Sequence, residues 1–331
     1  MSAEAIEPRM PISSEQARYL IATAARAPSI HNSQPWRFRV SKFAIELYAD
    51  PERKLGVDPL GRELLISCGA ALFGLRLAIR AIGYQPLVRL LPDRSQLRLL
   101  ATITLGLGQP PTPLETQLLE AMPHRHTHRG PFAADVLPAG LVAALQHDAL
   151  AEGARLAPIS RGAEYQRLAD ILRLASRRQD ADPIAQADIR RWTREQASNA
   201  RDGVPATAFP VVPHGGDGRL RQRDFDLGRG LGQLEDEGQQ PAATFALLTM
   251  RDGRADWLRA GQALHRVLVH AASAWVFAGI YTQPLEAAAI RALIRARLEL
   301  PGAPQTLLQL GVARTTRATA RRPATDIIDT V

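Results

Sequence analysis

The stretch "AARAPSIHNSQPWRFRV", residues 24–40, joins a helical pattern to an alternating strand pattern and places five polar side chains at the join. The helical pattern covers 14–26 and ends before Pro28, since a proline disfavours helical backbone in the residue before it. Residues 36–40 then alternate apolar side chains with arginines, as in a half-buried strand. The polar side chains between them are Ser29, His31, Asn32, Ser33 and Gln34.

Composition sets the broad class of the protein. The 331 residues are 46% hydrophobic, enough for two domains or two coupled halves. No stretch approaches the unbroken apolar length needed to span a bilayer, and the N-terminus lacks the basic start and apolar run of a signal peptide. Cys68 is the only cysteine, which rules out an internal disulfide and favours a cytoplasmic location.

The net charge of +8 raises the question of nucleic-acid binding. The basic residues are scattered and almost all arginine, Lys42 and Lys54 being the only lysines. No helix-turn-helix, zinc finger or aromatic strand motif accompanies them. We therefore expect no nucleic-acid partner, although the basic balance favours an anionic ligand.

The order of predicted elements repeats. The first half reads as helix, two strands, a long apolar helix and two further strands, and the pattern breaks at 109–113. The second half follows the same order. This predicts a duplicated α+β unit with halves at 1–112 and 113–331, and an unrelated pair of similar domains is the alternative.

Residues 176–240 have no counterpart in the first half. They are rich in Gly, Pro, Asp and Arg, with one short helical piece around 184–196. Such an insertion is either disordered or a functional cover. Trp192, Phe209 and Phe225 provide apolar anchors, which favours a lid-like cover packed on the body.

The polar side chains at the helix–strand join have two interpretations. Ser29, Asn32 and Gln34 could cap the helix and the turn. A cap usually needs one such residue, and amide side chains can both donate to and accept from a ligand. The cluster therefore favours a binding site.

The sequence "PSIHNSQPW", residues 28–36 and here called the polar motif, resembles the flavin-binding signature of the nitroreductase superfamily. Stretches at 62–79, 124–132 and 254–268 are similar to its Acg-type branch, in which two nitroreductase units are fused. The resemblance covers nearly the whole chain. It implies a nitroreductase-like α+β fold, internally duplicated as a pseudo-dimer in one chain, that binds flavin mononucleotide (FMN) through Pro28, Ser29, Asn32 and Gln34.

The sequence "HRHTHRGPF", residues 124–132 and here called the arginine segment, resembles the superfamily's phosphate-binding motif. Arg125 and Arg129 match its arginines, and Thr127 matches its hydroxyl. His126 stands where an arginine is usual, which puts one charge in doubt near neutral pH. If the segment is extended, alternate residues point the same way, and guanidinium groups bind phosphate in a bidentate manner.

Two further groups of residues leave alternatives open. "RRPATDII", residues 321–328, resembles the superfamily's last phosphate contact and makes Arg321 or Arg322 the candidate, with a solvated basic tail as the alternative.

The three histidines of the arginine segment share one face of an extended segment, as metal ligands could. No carboxylate or cysteine is near them and the intervening arginines repel cations, so we expect no metal.

The resemblance implies an oxidoreductase in which hydride passes from NAD(P)H to FMN and electrons then pass to a nitroaromatic, quinone or similar small-molecule acceptor. No side chain is named as catalytic, and the nearly lysine-free chain leaves the group near flavin N1 unassigned. The alternative is a protein that sequesters or stores FMN under the lid. The polar motif occurs only in the first half and the arginine segment only in the second, which predicts one FMN per chain, held between the halves of a monomer or homodimer.

Overall fold

The computed structural model describes residues 9–130, 132–210, 220, 222–232, 243–313 and 317–329. The helices are α1 Ser14–Ala24, α2 Arg62–Ala81, α3 Pro113–Ala121, α4 Leu141–Ala151, α5 Ala163–Asp180, α6 Pro183–Trp192, α7 Arg254–Ser273, α8 Ala288–Arg297 and α9 Ala324–Ile327. The strands are β1 Trp36–Val40, β2 Ile45–Ala49, β3 Tyr84–Leu90, β4 Leu99–Gly108, β5 Arg155–Ile159, β6 Thr193–Arg194, β7 Val204–Pro205, β8 Ala243–Thr249, β9 Val276–Tyr281, β10 Ala303–Val312 and β11 Ile328–Asp329.

The two main sheets repeat one topology. The first has the strand order β11-β1-β2-β4-β3 and the second β5-β8-β10-β9. Without β11, the strands of each half follow the order first, second, fourth, third, and neighbours are antiparallel. In each half a 20-residue helix, α2 or α7, connects the second strand to the third. The α+β prediction is confirmed, and the duplication stays a prediction with which the shared strand order agrees.

The long helices α2 and α7 cross backbone to backbone at two glycines. A Cβ atom on Gly261 would lie 1.9 Å from the Ile66 carbonyl oxygen, and one on Gly69 would lie 2.2 Å from that of Leu258. No side chain fits there, so the two halves share a tightly packed centre. By length and composition α2 could cross a membrane, contrary to our expectation of no such stretch, but 89% of its apolar window is buried inside the protein.

The C-terminal segment returns to the first half. Strand β11 pairs in parallel with β1, placing Ile328 opposite Phe38, and Asp329 forms an ion pair with Arg37. Residues 317–329, here called the tail, thus end on the first sheet although they follow the second in sequence. The boundary at 112/113 stays a prediction.

The predicted insertion is partly described. Helix α5 extends into it as far as Asp180, and α6 lies at the helical piece expected around 184–196. Trp192, Phe209 and Phe225 are buried. The name lid is used below for residues 181–210, 220 and 222–232, and residues 211–219, 221 and 233–242 lie outside the described residues.

Candidate functional site

A cavity lies where the first half, the second half and the lid meet. Its lining residues come from the polar motif, the start of α2, the arginine segment, the lid, and the elements α5, α7, β9 and β10 with the turn after β9. They are Pro28, Ser29, Ile30, His31, Glu63, Ile66, Ser67, Thr127, Arg129, Leu172, Ser176, Gln222, Arg223, Phe225, Leu264, Ile280, Tyr281, Thr282, Gln283, Pro284 and Thr306. The structure therefore brings the polar motif and the arginine segment to one composite cavity.

The polar motif has an unusual backbone. His31, Asn32 and Gln34 have φ values of 49°, 53° and 50°, in the left-handed region that non-glycine residues rarely adopt. The Ser29 hydroxyl accepts from the Gln34 amide at 3.0 Å, and the Ser67 hydroxyl accepts from the Ile30 amide at 3.1 Å. These bonds hold a conformation that costs free energy, and such backbone is concentrated at functional sites.

The Asn32 and Gln34 side chains bind other parts of the chain. The Asn32 amide group donates to the carbonyl oxygens of Gly203 (2.9 Å) and Ala320 (3.0 Å). Gln34 Nε2 donates to the Arg201 carbonyl oxygen at 2.8 Å, and Gln34 Oε1 accepts from the Arg322 amide at 2.8 Å. Both polar atoms of Gln34 thus have partners within the protein, and a contact of this side chain with FMN stays a prediction. Asn32 retains Oδ1, which is buried without a partner among the described residues.

His31 is a cavity residue that sequence reasoning left without a role. Its ring contacts Phe225 of the lid edge-on, with ring centroids 5.2 Å apart. Burial, with the charges of Arg223 and Arg129 adding to it, lowers the pKa of His31 well below its ordinary value. The ring is therefore neutral, and within the described chain neither ring nitrogen has a partner.

The arginine segment lies along the edge strand β9. Thr127 forms a parallel bridge with Ala278, and the His128 amide donates to the Ala278 carbonyl oxygen at 2.9 Å. The expected extended conformation is present at these residues. It leaves Thr127 and Arg129 lining the cavity.

Three guanidinium groups carry the positive charge of the site, on the buried Arg125 and the half-buried Arg129 and Arg321. Arg125 donates from Nη2 to the Arg26 carbonyl oxygen at 3.1 Å, and Arg321 donates from Nη1 to Thr319 Oγ1 at 2.6 Å. Arg129 places Cζ 5.5 Å from the Phe225 ring centroid. Arg125 Nε and Nη1, Arg129 Nη1 and Arg321 Nε are buried without hydrogen-bond partners among the described residues.

The same three arginines lack carboxylate partners. Within the described residues, none of the three forms an ion pair. Burial lowers the pKa of Arg125 to about 9, and the charges of Arg321 and Arg129 add to this effect. Burial also lowers the pKa of Arg129 and of Arg321 to about 10. Because unpaired buried charge is costly, this cluster suits a bound anion.

His126 and Arg322 differ from this cluster. Burial first, and then the charges of Arg125 and Arg321, lower the pKa of His126 to about 4, so this side chain adds no charge near neutral pH. Arg322 donates from Nη2 to the Asp326 carbonyl oxygen at 2.7 Å, and its Nη1 is buried without a partner among the described residues. Burial lowers the pKa of Arg322, and the charges that also affect this pKa are those of Arg53, Asp50, Arg37 and Asp326, not those of the three arginines above. Of the two tail candidates, Arg321 is the one whose charge acts on the pKa of Arg125.

A buried acidic side chain also lines the cavity, and sequence reasoning missed it. Glu63, near the start of α2, contacts the Arg62 guanidinium, which also donates to the Gln305 side chain at 3.0 Å. Burial raises the pKa of Glu63 to about 7, partly offset by Arg62. No three His, Cys, Asp or Glu side chains in the described ranges are grouped so that they could hold a metal ion.

The described lid is fixed to the body by polar contacts. The Asp188 carboxylate accepts from the Gly56 and Val57 amides at 3.0 and 3.1 Å. Asp202 forms ion pairs with Arg53 of the body and Arg194 of the lid. At the cavity, lid residue Arg223 forms a buried ion pair with Glu286.

No family model matches the sequence. Two proteins of Mycobacterium tuberculosis (strain ATCC 25618 / H37Rv) are similar to the chain. "Putative NAD(P)H nitroreductase Rv3131" is 35% identical over 305 residues, covering 90% of this chain and 86% of that protein. "Putative NAD(P)H nitroreductase acg" is 29% identical over 317 residues, covering 93% of each. The crystal structure of a nitroreductase with bound FMN from Desulfitobacterium hafniense DCB-2 is 13% identical, covers 65% of this chain and 98% of that chain, and has a TM-score of 0.41.

Proposed function

Because the chain belongs to the NAD(P)H nitroreductase family, we propose that it is an FMN-dependent oxidoreductase that uses NAD(P)H to reduce a nitroaromatic, a quinone or a similar acceptor. When bound, FMN supplies the hydride and electron chemistry, and the protein binds, orients and shields it. The observation that carries the proposal is that Arg125, Arg129 and Arg321 keep buried guanidinium nitrogens without partners among the described residues, and that Arg129 lines a cavity built from both halves.

The residues present fit FMN. Arg125, Arg129 and Arg321 offer buried donors to a phosphate, which carries strong acceptors and two negative charges. Thr127 and Ser29 bring hydroxyl groups to the cavity wall, where they suit a ribityl chain. In this proposal Asn32 keeps one acceptor for the ligand, and Gln34, His126 and Arg322 are not direct contacts.

The cavity wall also suits the ring end of the cofactor. Pro28 and His31 line it from the polar motif, and Phe225 covers it from the lid. Glu63 is the acidic side chain on this wall, where burial raises its pKa to about 7 and Arg62 forms an ion pair with it.

The test is reconstitution of the purified protein with FMN, followed by anaerobic addition of NADH or NADPH. We expect FMN to turn the protein yellow. The reduced nucleotide should then bleach the visible flavin absorbance, and an electron acceptor should restore it. A protein that stays colourless with added FMN contradicts the flavin assignment.

A second candidate function is sequestration of FMN, and the contacts of the lid favour it. Asp188, Asp202 and Arg223 each fix the lid to the body through a polar contact. A lid held in this way would limit access of NAD(P)H to the cavity. Protein that binds FMN but is not bleached by either nucleotide supports sequestration over reductase activity.

We also propose that the chain arose by internal duplication and holds one FMN between its halves. The common strand order of the two sheets and the central packing of α2 against α7 support this proposal. We expect a flavin-to-protein ratio of one, and a monomer or homodimer by light scattering. The single buried Cys68 is in keeping with the proposed cytoplasmic location.

A further inference from the structure

The Asn32 and Gln34 side chains lie where three separate parts of the chain meet. Asn32 donates to Gly203 of the lid (2.9 Å) and to Ala320 of the tail (3.0 Å). Gln34 donates to Arg201 of the lid (2.8 Å) and accepts from the Arg322 amide of the tail (2.8 Å). Each amide group therefore joins the lid to the tail through the polar motif.

These bonds do not cap the helix or the turn in which the two residues lie. The local side-chain bond of the pair runs from Gln34 Nε2 to the Asn32 carbonyl oxygen, at 3.4 Å. The other partners are 167 to 288 residues away in sequence. Gln34 is fully buried and Asn32 nearly so, and buried polar groups that lose their partners are costly. The pair is thus built to hold distant segments.

The tail contacts surround one residue of the anion cluster. Ala320 and Arg322 are the neighbours of Arg321, and both are held through their backbone atoms. With the peptide groups on both sides fixed, the Arg321 side chain leaves the tail in a defined direction. Its charge, with that of Arg129, adds to the lowering of the pKa of Arg125 by burial, and the charge of Arg129 adds to the lowering of the pKa of Arg321.

We propose that Asn32 and Gln34 are positioning residues, which fix the tail so that Arg321 joins Arg125 and Arg129 at the phosphate site and which fix lid residues 201–203 in the same arrangement. This inference rests on the proposed function for the identity of the ligand. It differs from the expectation drawn from the sequence, in which both amides contact the flavin directly. In this proposal the two amide side chains strengthen FMN binding indirectly, because they hold Arg321 in place.

The ligand test compares FMN with riboflavin, which lacks the phosphate, by quenching of flavin fluorescence. Gln34→Met keeps the side-chain length but removes the hydrogen bonds of this side chain to the lid, to the tail and to the Asn32 carbonyl oxygen. We expect it to weaken FMN binding about tenfold or more and to leave riboflavin binding unchanged, since a displaced Arg321 affects the phosphate alone. The double variant Gln34→Met with Arg321→Ala should bind FMN about as weakly as Arg321→Ala. Gln166→Met, at an exposed position, is the matched control.

Three results would overturn the proposal: unchanged FMN affinity in Gln34→Met, an equal loss of FMN and riboflavin, or losses that add in the double variant. If Gln34→Met does not fold, Gln34→Glu replaces it, because it keeps an acceptor for the Arg322 amide and removes the donor to Arg201. We then expect retained FMN affinity with faster hydrogen exchange at 201–203, and unchanged exchange contradicts the lid contact.

Failure of the proposed function gives a different result. Wild-type protein that binds neither FMN nor riboflavin contradicts the function. Hydrogen exchange of the ligand-free protein then decides the positioning role, since Asn32→Ala should speed exchange around both Gly203 and Ala320. Unchanged exchange in both segments contradicts it.

Discussion

Two groups of polar side chains come from the segments around the cavity, and they differ in what they bind. Asn32 and Gln34 of the polar motif form hydrogen bonds to the lid and the tail. Arg125, Arg129 and Arg321 keep guanidinium nitrogens that have no partner among the described residues. The first group stabilises the protein and the second is available to a ligand. Residue type alone could not separate the two roles, because amides and guanidinium groups are both common in binding sites.

The largest effect should come from the arginines. Arg125→Ala should weaken FMN binding by about tenfold to a hundredfold, because a charge-assisted hydrogen bond contributes about 1.5–3 kcal/mol. The ligand-free variant should be no less stable than the wild type, since the change removes a buried cation repelled by Arg321 and Arg129. Flavin titration and thermal unfolding measure the two effects.

Arg177→Ala, at an exposed position of α5, is the control for Arg125→Ala. It should leave both FMN affinity and stability unchanged. Equal retention of FMN by the two variants contradicts the phosphate assignment.

The amides should show the opposite behaviour in ligand-free protein. Gln34→Met should lower the free energy of unfolding by about 1–3 kcal/mol, because the Arg322 amide and the Arg201 carbonyl lose a buried partner. Urea unfolding without flavin is the measurement, with Gln166→Met as control. An unchanged free energy of unfolding would remove the difference between the two groups.

A smaller effect should appear in the pH dependence of stability. Burial and the nearby arginines lower the pKa of His126 to about 4 and that of His265 to about 3, from an ordinary value of 6.5. Below pH 6.5 the unfolded chain therefore binds protons that the folded chain does not, and the free energy of unfolding should fall as the pH falls from 6.5 towards 4. Thermal unfolding across this range measures the effect.

His126→Asn is the informative variant for this pH dependence, and it should flatten the slope between pH 6.5 and 4. Added FMN should flatten it as well, because a phosphate beside His126 raises the pKa of that ring. A slope unchanged by either would place His126 away from the anion site.

The smallest effect is expected at Arg322. Its backbone amide holds Gln34, while its side chain reaches the Asp326 carbonyl rather than the arginine cluster. Arg322→Ala should therefore change FMN affinity by no more than about twofold, within the range of ordinary surface substitutions. The same titration with Arg321→Ala should show a much larger loss of FMN affinity. A larger loss in Arg322→Ala than in Arg321→Ala would make Arg322 the phosphate contact instead.

The sequence predicted those parts of the fold that depend on local patterns. Helix α1 begins at Ser14 with a capping box between Ser13 and Gln16, and β1 is the alternating segment at 36–40. The repeated order of elements was also visible, because apolar periodicity and turn residues lie close together along the chain. Helix α5 was missed, since its polar C-terminal turns resemble the insertion that follows.

The sequence predicted which residues belong to the candidate site better than it predicted the contacts that those residues make. The family resemblance pointed to Arg125 and Arg129, and the structure places Arg129 with Ser29 and Thr127 in the wall of one cavity. The partners of Asn32 and Gln34 could not be read from the sequence, because they lie in the lid and the tail and reach the motif only after folding. Glu63 was hidden within the apolar pattern of α2, where an acidic residue in the first turn is an ordinary helix feature.

The pairing of β11 with β1 has a consequence for the order of events during synthesis. Until residues 320–329 leave the ribosome, β1 is an open edge of the first sheet, and the polar motif lacks the tail that its two amides hold. A nascent chain with both main sheets formed would still lack Arg321 beside the other arginines. The proposed phosphate site would thus form only after residues 320–329 have been added, and until then the edge of β1 is open to pairing with another chain.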